Sequence, residues 1–558
     1  MQELPRETDL DRIVRPRLDD KTRDLMTQFV QLSRQTEPAG QALDQQQDCQ
    51  FEMWPQTYGG AVPCRAVPSR AGVEESGDVN VLLVTLDQFR GDCLSAAGHP
   101  VVQTPTLDAL AAEGTRLSSH YASAAPCSPG RASLYTGTYQ ANHRVIANGT
   151  PLDDSFDNVA RMARRAGYRP VLFGYTDQGI DPLRTTGETD PRLDTYEGIL
   201  PGFDPVLSLD SGLTPWLSWL DDLGYGSMSA DSALASEPER PCEHGLSGFM
   251  TDRMLRWIDH QSEPWFLHAS YLRPHPPYAA AGRWSRRYRP DELPDPIAAA
   301  ADLHPMHRMA LGRPAWAAPP DPATMAVVQA QYLGMISEVD HQLGRLFEHL
   351  RRRCLWEETL VVLTSDHGEQ MGDHGLIQKL GFFEQSYHIP CIIRPPAGAW
   401  ARGRTVEDMT EAVDVFPTMA ELMGQDPPVQ CDGRSLVPFL DGGSPANWRR
   451  AAHWEWDWSH LFMGPRRAGG VPDPGLERCN LAVERSSTHA YVHFGDSSSL
   501  CFDLAADPSW RTTTTASEVV LPMAQSLLTW RSNHLGARYS RMLLGPDRRG
   551  LWPALGRD

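Results

Sequence analysis

The sequence predicts an α/β protein with a large, mostly parallel central sheet flanked by helices, followed by a smaller C-terminal α+β subdomain with an antiparallel sheet. Three observations carry this expectation. Short continuous apolar runs at Val79–Leu86, Trp265–Leu272 and Leu360–Ser365 have the length and composition of strands buried on both faces. From Asp321 to Arg352, Val328, Tyr332, Met335, Val339, Leu343, Leu346 and Leu350 recur at three- and four-residue intervals, which predicts a long amphipathic helix covering one face of the sheet. Beyond Cys431–Arg434 the chain becomes rich in tryptophan and turns, including Trp454–Trp458. The alternating runs Ala490–Phe494 and Leu500–Leu504 then predict a small antiparallel sheet, with a terminal helix near Ala524–Trp530.

At 558 residues and 41% hydrophobic composition, the chain can bury one large core and a smaller one. The expected division is an N-terminal extension over 1–78, a catalytic domain over 79–440 and a C-terminal subdomain over 441–558. The extension is rich in Gln, Asp, Arg and Pro, and only Leu25–Leu32 hints at a helix, so it reads as an appendage of disordered composition. The formal net charge of −20 excludes a nucleic-acid partner, and an anionic ligand must be received by a local basic pocket. No run approaches the roughly 18 apolar residues of a membrane span. Met1–Glu7 carries no apolar signal core, so a cytoplasmic protein with no membrane partner is expected. The 10 cysteines are scattered without the spacing of a disulfide framework or a zinc site, and only Cys127 has a chemical context.

Along the chain, the first strand ends in Asp87-Gln88, which places a carboxylate at the crevice where open α/β sheets bind ligands. Thr104-Pro105 opens a packing helix. The central stretch, Ala125–Gly137, places Cys127 at the positive end of a short helix with Pro129 in its first turn. Arg131 lies four residues on, which makes an anion site in which the thiol is expected to ionise readily. Asn148-Gly149 reads as a turn. A helix from Val159 to Ala166 and a strand over Tyr168–Gly174 deliver Tyr175 and Asp177 to the same edge, and residues 200–250 form a long excursion at the pocket mouth. After Trp265–Leu272, the prolines of Arg273-Pro274-His275-Pro276-Pro277 hold His275 in a stiff loop. Leu360–Ser365 delivers Asp366 and His367, which with Asp87 form a mixed oxygen and nitrogen set suited to Ca²⁺ or Mn²⁺. A strand at Ile389–Arg394 and a helix at Val413–Leu422 follow.

Cys127-x-Pro129-x-Arg131 followed by Leu134-x-Thr136-Gly137 resembles the signature of the type I sulfatases and of their relatives in the alkaline phosphatase superfamily, the phosphonate monoester hydrolases. Gly130 stands where the commonest form has serine. The resemblance runs from about Val79 to about Trp530 and implies an alkaline-phosphatase-like sandwich. It further implies that a formylglycine-generating enzyme oxidises Cys127 to formylglycine (3-oxoalanine). One divalent metal ion would be held by Asp87, Asp366, His367 and residue 127, with Arg131, His275 and Lys379 as catalytic residues and His275 as proton donor to the leaving group. Asn148, Tyr175 and Asp177 would contact the substrate.

Sulfatases usually carry Asp-Asp where Asp87-Gln88 stands, and a Gly-Lys-x-His element where this chain has Gly174–Asp177. Phosphonate monoester hydrolases are similar to this chain in Asp-Gln and in Tyr175, but have threonine at the place of Asp177. A second carboxylate there would weaken anion binding unless it points away, pairs with a cation or touches the leaving group. The resemblance therefore implies hydrolysis of a small anionic ester, a phosphonate monoester or phosphodiester, with sulfate esters as a side activity. An arylsulfatase is the alternative enzyme, and an inactive anion-binding homologue with unmodified Cys127 is the alternative of another class. A homo-oligomer, tetramer or dimer, is also implied.

Overall fold

The computed structural model describes residues 79–558 apart from 188, 194, 196, 211, 462–474, 537–542, 545–549 and 552–558. The N-terminal extension, with the helix expected at Leu25–Leu32, lies outside the described residues.

The apolar runs become the middle of the main sheet because strands covered by helices on both sides can afford no polar face. In chain order the strands are β1 (Asn80–Leu86), β2 (Thr115–Leu117), β3 (His120–Tyr121), β4 (Pro170–Gly174), β5 (Asp204–Ser208), β6 (Phe266–Tyr271), β7 (Thr359–Thr364), β8 (Cys391–Arg394), β9 (Arg404–Val406) and β10 (Thr410–Glu411). Eight of them form one sheet in the order β5-β4-β6-β1-β7-β8-β2-β9, and β3 and β10 make a separate parallel pair. Every residue of β1, β6 and β7 is buried. β4, β6, β1 and β7 are neighbours and run parallel, with Val81 level with Phe266 on one side and Leu360 on the other. β8 turns back against β7, so the sheet is mixed beyond this point. All four parallel strands therefore end at one edge, where Asp87, Tyr175, Arg273 and Asp366 emerge.

The helices that concern the site are α1 (Pro105–Glu113), α2 (Cys127–Thr136), α3 (Val159–Arg165), α4 (Leu246–Asp259), α5 (Pro322–Arg352) and α6 (Val415–Leu422). The stripe read from the sequence is the buried face of α5, whose first turn is capped by the Asp321 carboxylate accepting from the backbone N–H groups of Ala323 and Thr324. α2 stops at Gly137, which takes a left-handed conformation (φ 67°) and returns its N–H to the Ser133 carbonyl. Residues of α2, α3 and α6 pack with the sheet in one core that includes Leu134, Met162, Leu172, Phe266, Val362 and Phe416. No helix among the described residues is long and apolar enough to cross a membrane.

The C-terminal part is a four-stranded antiparallel sheet of β11 (Ala451–Asp457), β12 (Asn480–Ser486), β13 (His489–Phe494) and β14 (Ser499–Asp503), followed by α7 (Ser517–His534). Trp454–Trp458, expected in a turn-rich stretch, instead supplies most of β11. Its aromatic residues favour the pleated surface, and Trp454 and Trp456 share one face of it. That face packs on Phe382, Phe383 and Tyr387, and Leu527 and Trp530 of α7 join Tyr139, Val413 and Tyr491 on the other side.

A buried polar group joins the small sheet to the large part. His453 donates from Nδ1 to Glu411 at 3.2 Å, turns Nε2 toward Glu484 at 3.5 Å and stacks on Trp530 with centroids 4.6 Å apart. Burial opposes its protonation, but the two carboxylates outweigh that and raise its pKa above the ordinary value. A raised folded-state pKa contributes stability that is full below the unfolded value of about 6.5 and is lost as pH rises through the folded value. His453→Gln should therefore remove a pH-dependent part of the melting temperature above pH about 6.5, and parallel melting profiles for both proteins across that range would contradict the assignment.

Candidate active site

The strand edge gathers four ligand groups. Asp87 follows β1 directly, Asp366 and His367 follow β7, and Cys127 is the first residue of α2. One ligand atom from each lies within 4.8 Å of the others, and all four residues are buried. His367 donates from Nδ1 to the Gly368 carbonyl at 3.1 Å, which leaves Nε2 bare toward the group, 3.3 Å from the Cys127 sulfur. Asp366 accepts the backbone N–H groups of Gln88 and His367 on Oδ1, at 3.1 and 3.0 Å. Asp87 accepts the Tyr175 hydroxyl on Oδ2 at 2.6 Å, while its Oδ1 is buried without a hydrogen-bond partner. A buried carboxylate oxygen with nothing to bind is costly in a metal-free site, and the two-carboxylate, imidazole and residue-127 set fits a divalent ion. The close approach of α2 to β7 explains the glycine at 130: a Cβ there would stand 2.5 Å from the Asp366 carbonyl oxygen.

The Arg131 guanidinium is fully buried and makes its contacts within the protein. Nε donates to Asp366 at 2.9 Å, Nη2 to Asp87 at 3.1 Å, and Nη1 to the Ser270 hydroxyl at 2.8 Å and the Tyr175 carbonyl at 3.3 Å. Tyr175, expected at the substrate, uses its hydroxyl to hold Asp87, and its ring lies under the guanidinium at 4.5 Å. Of the three arrangements open to Asp177, the structure has the pairing with a cation: its carboxylate is 3.7 Å from Arg131 Nε. Gln88 and Asp177 both stand in the left-handed backbone region, at φ 68° and 50°, a conformation that concentrates at sites where function constrains the chain.

Charge explains why these groups tolerate burial together. Burial and the neighbouring Asp87 push the Asp366 carboxyl up to about 7, whereas Asp87 is held below the usual carboxylate range because His275, Arg131 and Lys379 outweigh its burial. Burial, against the attraction of Arg131, drives Asp177 up to about 8. The Cys127 thiol is pushed well up by burial and by Asp87, against the expectation that the helix terminus would lower it. Lys379 has its pKa raised despite burial, through Cys127, Asp87 and Asp366.

The mouth of the site holds the remaining candidates. Lys379 donates to the Gln88 side-chain oxygen at 2.7 Å. Gln88 in turn donates to Glu369, which also accepts the Tyr278 hydroxyl at 2.9 Å. His275 is half-buried, donates from Nδ1 to the Pro276 carbonyl at 2.8 Å, and is pushed down to about 3 by burial and Lys379. Asn148 is exposed at the start of α2, where its Oδ1 accepts the Ser128 N–H at 3.0 Å. Gln178 is buried and donates to the Ser128 carbonyl at 3.1 Å. Glu369, Tyr278, Gln178 and Ser270 carry no role in the sequence reading. Glu369, three residues after Asp366, and Gln178, next to Asp177, offered a positional hint.

A family model described as Sulfatase matches residues 79–425. The chain belongs to the sulfatase family. Within it, the multifunctional alkaline phosphatase superfamily protein PehA of Trinickia caryophylli is 35% identical over 494 residues, covering 82% of this chain and 95% of that protein. The phosphonate monoester hydrolase of Agrobacterium radiobacter is a structural neighbour with a TM-score of 0.78 and 39% identity, over 85% of this chain and 100% of its own. The phosphonate monoester hydrolase of Silicibacter pomeroyi has a TM-score of 0.75 and 31% identity, over 85% and 99%. The alkaline-phosphatase-like architecture expected from the sequence is thereby shown, and sulfatase-family members hydrolyse ester bonds.

The enclosed Arg131 makes a prediction about stability. Arg131→Met leaves two buried carboxylates without their cation, and in chelator it should lower unfolding free energy by about 3–5 kcal/mol, read from urea midpoints. An unchanged midpoint would show that the carboxylates do not depend on it.

Proposed function

We propose that this protein hydrolyses phosphonate monoesters and phosphodiesters, with sulfate esters as a side activity, using residue 127 as the nucleophile once its thiol has been oxidised to formylglycine. The observation that carries the reading is the convergence of Asp87, Cys127, Asp366 and His367 within 4.8 Å at the sheet edge. The two structural neighbours named phosphonate monoester hydrolases support the choice of ester.

A divalent ion such as Ca²⁺ or Mn²⁺, held by Asp87, Asp366, His367 and residue 127, would supply positive charge that favours an ionised nucleophile and offsets the anionic substrate. Arg131 and Tyr175 hold Asp87 for that purpose, and Arg131 holds Asp366. Formylglycine at residue 127 would supply, once hydrated, an oxygen nucleophile for in-line attack on the phosphorus or sulfur centre, and Lys379 and Asn148 would receive the anionic oxygens. With Nδ1 donating to Pro276, His275 can give a proton to the departing alcohol only from Nε2 of its doubly protonated form, which burial and Lys379 oppose in the free site and an anionic substrate beside the ring favours. Release would return the aldehyde by breaking the bond between its carbon and the transferred oxygen, with His275, deprotonated in the first step, taking the proton of the second hydroxyl. Because α2 is buried along its whole length, a formylglycine-generating enzyme must reach Cys127 before the chain folds.

A second reading, aryl sulfate hydrolysis as the main activity, draws on relatives such as the arylsulfatase of Clostridium perfringens, 25% identical over 421 residues, 67% of this chain and 81% of that one. Against it stands Gly174-Tyr175-Thr176-Asp177, which offers no lysine for a sulfate group.

Three measurements test the proposal. Peptide mass analysis should find the residue-127 segment about 18 Da lighter than its thiol form, and full activity from protein that carries only the thiol would overturn the mechanism. Cys127→Ala should lower kcat/KM for a phenyl phosphonate monoester by about 10³-fold or more. Asp177→Thr should change the ratio of turnover among a phosphonate monoester, a phosphodiester and an aryl sulfate; identical ratios would show that Asp177 has no part in specificity.

A further inference from the structure

The loop that carries His275 is fastened from inside the protein by a charge the reaction does not touch. Arg273 follows β6 and is fully buried. Its Nη1 donates to two carbonyl oxygens of the loop, those of His275 and Pro277, each at 2.9 Å. Its Nη2 pairs with Glu237, which is also fully buried and accepts the Leu246 N–H at the start of α4 on its other oxygen, at 2.7 Å. Glu237 belongs to the excursion over residues 200–250, which otherwise supplies nothing to this loop's backbone in the contacts described.

The chemistry of the loop explains the need for such a device. Pro274, Pro276 and Pro277 have no backbone N–H, so the segment cannot pair with a strand or close itself as a helix. Its carbonyl oxygens nevertheless turn inward, away from water, and require donors there. One guanidinium group supplies two on a single nitrogen, in a plane fixed by Glu237. A buried ion pair by itself is weak evidence of stabilisation, since packed apolar residues do as well. Here the cation is spent on the main chain of the residue read as the proton donor. Two further ties complete the frame: Glu338 of α5 accepts the Ala281 N–H at 2.9 Å, and Tyr278 reaches Glu369 at 2.9 Å.

We propose that Arg273, held by Glu237, is a positioning residue that sets where the His275 ring meets the leaving oxygen, and so decides how well esters of poor leaving groups are cleaved. This rests on the reading of His275 as the acid. A nitrophenol departs without help, whereas phenol or an alkyl alcohol needs the proton.

The test compares kcat/KM for phosphonate monoesters of 4-nitrophenol, phenol and ethanol in the full-length, metal-replete enzyme. His275→Ala should lower turnover of the phenyl ester about 10²-fold more than that of the nitrophenyl ester. Arg273→Lys keeps the charge but loses the fork, and should steepen the leaving-group dependence in the same direction, by about tenfold. Glu237→Gln preserves shape and should do so to a lesser degree; it carries the test if Arg273→Lys does not fold. In the Arg273→Lys, His275→Ala double variant the selectivity should match that of His275→Ala alone. If His275→Ala is selective while Arg273→Lys and Glu237→Gln slow every ester equally, the clamp serves only stability and the positioning role is overturned. If His275→Ala itself slows every ester equally, the acid assignment fails and the positioning role falls with it.

Discussion

Two carboxylates cannot share a dry pocket unless a cation lies between them and the rest of the protein, and at this sheet edge the cation is Arg131. Its Nε and Nη2 reach Asp366 and Asp87 from strands that are direct neighbours in the sheet, so a single planar group fixes the separation of both acids. The strand order makes the bridge possible and α2 delivers it. With Oδ2 of Asp87 committed to Arg131 and Tyr175, only Oδ1 is left facing Cys127 and His367. Arg131 and Tyr175 therefore hold the two carboxylates in place.

Outside that inner group a second network reaches the mouth. Lys379, Gln88, Glu369 and Tyr278 form a continuous chain of hydrogen bonds from the end of β1 to the loop of His275. The Gln88 amide suits this place because it can accept from Lys379 and donate to Glu369 at once, which an aspartate cannot. The amide at residue 88 thus belongs to a polar relay between Lys379 and Glu369. The opposite side of the mouth differs in kind: Asp177 is tied to Arg131, and the segment that would carry a sulfatase lysine carries Tyr175 instead.

Much of this was legible in the linear chain. The apolar runs marked β1, β6 and β7, the three-four spacing marked the buried face of α5, and the acids and histidines at the run ends marked the edge where ligands gather. Strand ends are readable because burial on both faces forces a continuous apolar run, and the polar residue that ends it must reach an edge. Beyond Arg434 the reading was coarser. Tryptophan-rich sequence can be a turn region or a strand, and only the packing of Trp454 and Trp456 on Phe382 and Tyr387 separates the two.

The residue types at the site, their attachment to particular strands and the family signature around Cys127 were determined by the sequence alone. The direction in which each side chain spends its hydrogen bonds was decided by the tertiary structure. Arg131 turned inward, the Cys127 thiol became harder to ionise, and Arg273 and Glu237 met although 36 residues separate them. The physical reason is that a charge or donor acts on whatever lies within a few ångströms, and in a buried site those neighbours come from strands and helices far apart in the chain.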